Sequence, residues 1–146
     1  MRDSSTARTV PNTKRLQPMV TTATEAKVPA TVLVVDREPM LRKALIGVLH
    51  RLGYKTLEAS GAIEARRLAA ARKRIDLLVV DFSFMENNAL ELVRWFQAMF
   101  PRTKALVTTD SLWELLYQGG QSRGFVALAK PFSDLELGRI LERTLG

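Results

Sequence analysis

Two carboxylates flank a guanidinium in Val34-Val35-Asp36-Arg37-Glu38-Pro39, where a strand-like apolar run stops on charge. Asp and Glu at this spacing are hard oxygen donors of the kind that hold a divalent cation. Arg37 argues the other way, because guanidinium stays charged and repels a cation placed beside it. Other apolar runs end in the same manner. Asp81 closes Leu77 to Val80, Thr108 follows Val107, and Lys130 with Pro131 follows Ala129. The separations are 45 residues from Asp36 to Asp81 and 22 from Thr108 to Lys130. Taken singly, each is an ordinary strand-end or surface residue. Two carboxylates, a hydroxyl and an ammonium at four different ends point to one shared site.

The elements that must position these groups are legible from periodicity. Strands are predicted at Thr31–Asp36, Lys55–Ala59, Asp76–Asp81, Lys104–Thr108 and Val126–Ala129. Runs such as VLVV and LLVV are continuous rather than alternating, which suits strands covered on both faces of a parallel sheet. Helical segments separate them. The first carries an apolar stripe of Leu41, Ala44, Leu45, Val48, Leu49 and Leu52, opens near Pro39 and is closed by Gly53. Ser111 with Glu114 and Ser133 with Glu136 have capping-box spacing, and Asn88 with Glu91 is a near relative. Phe132 and Leu137 suit a hydrophobic staple, and Ser60 is a candidate cap for an Ala- and Arg-rich helix. Five βα units with right-handed crossovers give an α/β, doubly wound parallel sheet with helices on both faces. In such a sheet the site lies at the carboxyl ends of the strands, where strand order reverses.

Bulk composition narrows the function. The chain has 146 residues and is 47% hydrophobic, enough for one core. It has no cysteine, which excludes disulfides, thiolate metal sites and thiol catalysis, and only one histidine, His50. No apolar run is long enough to cross a bilayer and none resembles a secretory signal, so the expectation is a cytoplasmic protein. The net charge is +7. Residues 1–30 contribute +3 of it, from Arg2, Arg8, Lys14, Arg15 and Lys27 against Asp3 and Glu25, and are rich in Ser, Thr and Pro. They read as a disordered basic arm ahead of a domain at 31–146. The arm lacks the amphipathic helix of a transit peptide. Arg66, Arg67, Arg72, Lys73 and Arg74 read as a solvated helix face, and no recognition module accompanies the charge, so nucleic acid is not an expected partner.

From Thr31 to Leu145 the chain resembles a response-regulator receiver domain. The stretches that carry the resemblance are LVVDRE, DLLVVDFSFMENNALELV, LVTTD and LAKPF. The resemblance implies a flavodoxin-like (βα)5 sheet in the order 2-1-3-4-5, and a cis peptide between Lys130 and Pro131. It implies phosphoryl transfer from a phosphohistidine donor to Asp81, with Asp36 and Glu38 in the acidic pocket. Thr108 and Lys130 would contact the phosphoryl oxygens, with Thr109 the competing hydroxyl. It further implies Mg²⁺ bridging those oxygens to the acids.

The departures set the finer expectation. Receivers place a second, metal-contacting acid where this chain has Arg37, and Glu38 matches a more peripheral acid. Phe84-Met85 replaces the usual Met-Pro, Ala89 stands at a Gly position, and Ala127 replaces the aromatic switch residue, with Phe125 displaced by two. Arg37 has three readings: a side chain in solvent beside a weakened metal site, a guanidinium in the metal's place pairing with Asp81, or a phosphate clamp. Any Mg²⁺ would bind through Asp36 and Asp81, and weakly. The expectation is a divergent, stand-alone receiver with no further domain after the fifth helix. It is not an enzyme, and its Mg²⁺-dependent phosphorylation is impaired or absent. A sensor histidine kinase, a phosphotransferase or another regulator would be its partner. The alternatives are a conventionally phosphorylated regulator with Arg37 as clamp and, in another class, a small phosphatase or hydrolase. The D-x-D of haloacid-dehalogenase hydrolases is D-R-E here, and no Gly-rich turn follows the first strand for a dinucleotide, nor a phosphate loop for FMN. The segment LWELLY is apolar almost all round, so Trp113 and Tyr117 are expected on an association surface. In receivers the helix 4, strand 5 and helix 5 face serves docking or dimerisation.

Overall fold

The continuous apolar strands take the central places in the sheet. In the computed structural model, which describes residues 28–71, 74–82, 87–118 and 124–146, they alternate with helices along the chain. The elements are β1 (Thr31–Val35), α1 (Pro39–Arg51), β2 (Lys55–Ala59), α2 (Ala62–Ala71) and β3 (Leu77–Asp81). They continue as α3 (Asn87–Met99), β4 (Lys104–Thr109), α4 (Leu112–Gln118), β5 (Phe125–Ala129) and α5 (Asp134–Leu145). All pairings are parallel, in the order β2-β1-β3-β4-β5. This is the flavodoxin-like sheet expected from the sequence, with strand ends shifted by at most one residue. Most of the arm, Arg72, Lys73 and the Phe84-Met85 pair lie outside the described residues, as does the side chain of Asn88.

Alternation along each strand divides the core into two. Leu33, Val35, Leu78, Val80, Ala105 and Val107 pack with residues of α2, α3 and α4, including Ala65, Leu92, Phe96 and Leu115. Val32, Val34, Leu77, Val79, Leu106 and Leu128 pack with Ile46 and Leu49 of α1 and Leu137 and Leu141 of α5. Small residues on α2, notably Ala65 and Ala69, let that helix approach the sheet closely. Trp95, Phe96 and Phe100 form a ring cluster with centroids 5.2–5.9 Å apart, as their helical spacing predicts, whereas Met99 is exposed.

The helix ends follow local chemistry. Pro39 opens α1 and Gly53 leaves it at φ 96°, a left-handed conformation that glycine adopts without Cβ strain. Ser133 and Glu136 exchange both bonds of a capping box, and Phe132 and Leu137 share the α1/α5 cluster. Ser111 Oγ accepts the Glu114 amide at 3.2 Å. Ser60 departs from expectation. Its amide and hydroxyl both donate to Glu64 Oε1, at 2.8 and 3.1 Å, so the carboxylate reaches back to the serine. The α1 stripe also needs correction. Leu41 is 55% exposed and Ala44 is exposed, while Ile46, outside the predicted stripe, is buried beside Leu49. Leu52, the last of the stripe, is exposed too, so only its middle, Leu45, Val48 and Leu49, packs against the sheet.

Leu33→Ala should therefore cost about 2–5 kcal/mol, since it opens a cavity under two helices. Leu41→Ala should stay within about 0.5 kcal/mol despite its place in the stripe. Urea unfolding of both variants checks the division.

Candidate functional site

The four residues singled out at strand ends share one parity. Asp81 continues the Leu77–Val79 row, Thr108 the Leu106 row, Asp36 the Val32–Val34 row and Lys130 the Val126–Leu128 row. All four rows belong to the α1/α5 side of the sheet. Asp81 and Thr108 are register partners on adjacent strands, which places them about 4.8 Å apart along the sheet. Thr109 continues the Val107 row on the opposite side. Its hydroxyl donates to the Ser111 carbonyl and accepts the Ser111 amide, both at 3.0 Å, at the start of α4. Parity thus separates the two threonines that spacing alone left in competition.

Burial makes the carboxylates costly. Asp36, Asp81 and Thr108 are all buried. Burial pushes the Asp36 carboxyl above its ordinary value of 3.8, and the Asp81 charge adds to the rise. The Glu38 amide, donating to Asp36 Oδ1 at 2.9 Å, opposes it, as do the charges of Lys130 and Arg42. Lys130 supplies the cation that Asp81 needs, with Nζ 2.9 Å from Asp81 Oδ2. The Lys130–Pro131 peptide is cis. Lys130 is also 3.8 Å from Asp110 Oδ1, so its ammonium stands between two carboxylates.

Arg37 and Glu38 are exposed at the rim. Among the described residues no three acidic or imidazole side chains gather as a cation cage. Asp36 and Asp81 provide two oxygen donors. Mg²⁺ is commonly held by one or two carboxylates, with waters and phosphate oxygens completing its shell, so these two acids fit it. The Arg37 charge next in the chain opposes it. The arrangement also suits an anion brought to Asp81, met by the Lys130 ammonium and, one strand over, by the Thr108 hydroxyl.

Two participants escaped the sequence. Asp110 had no pattern of its own, although it directly follows the threonine pair. Arg42 lies outside the apolar stripe of α1 and belongs to no motif. Its Nη1 donates to the Asp36 carbonyl at 2.6 Å and its Nε to Glu58 Oε1 at 2.8 Å. Trp113 and Tyr117 do not join this cluster. They stand 79% and 81% exposed on α4 with Leu116, while Leu115 anchors that helix. His50 is exposed, its Nε2 2.8 Å from Thr56 Oγ1. Ala127 and Phe125 are partly buried on the same side of the sheet as Thr109.

No family model matches the chain. It is 31% identical to a chemotaxis protein CheY homolog of Campylobacter jejuni over 127 residues, covering 79% of this chain and 92% of the relative. Chemotaxis protein CheY1 of Helicobacter pylori is 30% identical over 126 residues, covering 79% and 96%. A response regulator from Thermotoga maritima superposes with a TM-score of 0.71 at 28% identity, covering 81% of this chain and 98% of that one. The receiver domain of a sensor histidine kinase from Pseudomonas aeruginosa PAO1, which has a magnesium ion coordinated in its active site cleft, gives a TM-score of 0.71 at 26% identity, covering 82% and 99%.

The raised Asp36 pKa fixes the sign of one pH effect. Between 3.8 and the raised value the folded chain binds more protons than the unfolded one, so this group's penalty lifts as pH falls. Asp36→Asn keeps an acceptor for the Glu38 amide and removes the charge. It should melt higher than the parent near neutral pH, with the gain vanishing as pH falls past 3.8. Melting curves from neutral to acid pH check this, and a lower neutral melting point for Asn would contradict it.

Proposed function

The chain belongs to the CheY-like response-regulator receiver family of two-component signalling, and on that premise we propose that it is a divergent cytoplasmic receiver. Receivers are signalling proteins that work through histidine kinases and other signalling partners. In this reading Asp81 is the phosphoacceptor, and the chain acts through protein–protein contact with Mg²⁺-dependent phosphorylation impaired. The observation that carries the reading is the 2.9 Å Lys130–Asp81 ion pair with Arg37 at the rim where an acid would complete a cation site.

The chemistry that the pocket retains follows from its residues. Phosphorylation would form a bond from an Asp81 carboxylate oxygen to phosphorus as the donor's P–N bond breaks, with the donor imidazole keeping the electron pair. Lys130 would offset charge on one phosphoryl oxygen, and Thr108 would donate to another. Asp36 and Asp81 would hold magnesium, which would supply further positive charge to offset that of the phosphoryl group. Arg37 stands near that place as a permanent cation. Its charge weakens metal binding, and its forked donors favour an anion over a metal.

A conventionally phosphorylated protein, with Arg37 clamping the phosphoryl group, is the second reading. Exposed Arg37 directly follows buried Asp36, which supports this reading. Intact mass after acetyl phosphate treatment, with and without Mg²⁺, separates the two. The expected outcome is little labelling in either condition and a gain with Mg²⁺ in Arg37→Asp. Strong Mg²⁺-dependent labelling of the parent, lost in Asp81→Asn, would overturn the reading. Strong labelling without Mg²⁺ that falls in Arg37→Gln would select the clamp.

Output is assigned to α4. Leu112, Trp113, Leu116 and Tyr117 leave it an exposed apolar face, with large aromatics of the kind that carry interface energy. A signalling partner or a second copy docks there in this reading. Trp113→Glu with Tyr117→Glu should abolish partner capture and any self-association in sedimentation without lowering the melting point. Unchanged sedimentation together with unchanged partner binding would remove the assignment.

A further inference from the structure

We propose that Arg42 is the positioning residue of the acidic corner, a guanidinium that fixes the Asp36–Glu38 loop by tying it to edge strand β2. The assignment rests on the reading of Asp36 as an acid of the Asp81 pocket. It goes beyond that reading by naming what holds Asp36 in place.

The tie is continuous. The Asp36 amide donates to the Ala59 carbonyl at 3.0 Å, at the end of β2. The Asp36 carbonyl accepts Arg42 Nη1 at 2.6 Å, and Arg42 Nε donates to Glu58 Oε1 at 2.8 Å, one residue before Ala59. Lys43 Nζ takes the other Glu58 oxygen at 3.0 Å, so both carboxylate oxygens are engaged from α1. The Glu38 amide holds Asp36 Oδ1 at 2.9 Å, and the Glu38 carbonyl accepts the Arg42 amide, also at 2.9 Å. The main-chain groups of Asp36 and one carboxylate oxygen are thus fixed, which leaves Oδ2 as the atom that can answer to a pocket occupant.

The geometry requires arginine. Two donors of one rigid planar group span a backbone carbonyl and a carboxylate on different elements. An ammonium is a point donor and would satisfy one partner at a time. Arg42 has 15% of its side chain exposed against 67% for Arg51, whose pairing with Asp134 joins α1 to α5 at the surface. The burial of Arg42 shields its bonds from solvent competition and salt, where an exposed pair contributes little.

Hydrogen exchange in the full chain tests the tie by residue. Arg42→Gln should speed exchange of the Glu38 and Asp36 amides about tenfold, the effect of losing one charge-assisted bond. The Leu78 and Leu106 amides of the central strands should keep their rates. Arg42→Lys should restore protection only in part, Glu58→Gln should fall between, and Arg51→Gln should change nothing at the loop. Loop and core amides accelerating together would show a merely structural role and overturn the proposal, as would an unchanged Glu38 amide. Acetyl phosphate labelling in the Arg37→Asp background is the second readout, where adding Arg42→Gln should lower labelling several-fold. Accelerated loop exchange with undiminished labelling would sink the link to the pocket. Absence of labelling in Arg37→Asp alone would count against the phosphoacceptor reading, with the exchange data still deciding the tie.

Discussion

Two buried carboxylates at the edge of an apolar sheet are the constraint around which the rest of the site is arranged. Asp36 and Asp81 lose hydration by standing at the ends of fully buried strands, and the Asp81 charge raises the cost of charging Asp36. Several devices offset that cost. Lys130 contacts Asp81 directly, the Glu38 amide holds Asp36, and Arg42 places positive charge on the main-chain side of Asp36. None is a core contact, yet all depend on the core. The ammonium reaches Asp81 because β4 lies between β3 and β5 and the parallel register brings their ends level.

Much of this was legible in the sequence because fold and site obey the same period. Strand parity that sorts Leu77 from Leu78 into two cores also sorts Asp81, Thr108 and Lys130 onto one side and Thr109 onto the other. Capping serines announced α4 and α5 because a cap is local, with donor and acceptor three residues apart. What stayed hidden was non-local. Arg42 and Glu58 are 16 residues apart on different elements, and nothing in either neighbourhood marks them as partners. Leu41 fits the helical period, but period cannot say where the sheet beneath a helix ends. Ser60 carried the right residue type for a cap, and Glu64 at a spacing of four reversed the roles.

On the proposed reading, the pocket keeps a family's geometry while changing its charge balance. Lys130, Thr108 and Asp81 preserve the parts that meet an anion. On that reading Arg37 changes the part that would meet a cation. A metal's occupancy of a site varies with its concentration, whereas Arg37, Lys130 and Arg42 are always present. Neutralisation built from side chains would therefore make the corner a fixed property of the fold.

That difference bears on how a signal could leave the site. Thr109 links the end of β4 to the start of α4 through two bonds with Ser111, so the strand that carries Thr108 also anchors the helix with the exposed aromatic face. An aromatic ring at position 127 would sit on the Thr109 side of the sheet, next to Val107 in register. Alanine there has no ring to reorient and no rotamer to select. The β4 main chain and the Thr109–Ser111 link give one route to α4, beside the packing of Leu115 in the core. A fixed charge at the site, no ring at the relay and an apolar face already exposed are mutually consistent. On the proposed reading they describe an interaction surface held ready by the fold, with little of its presentation left to a side-chain switch.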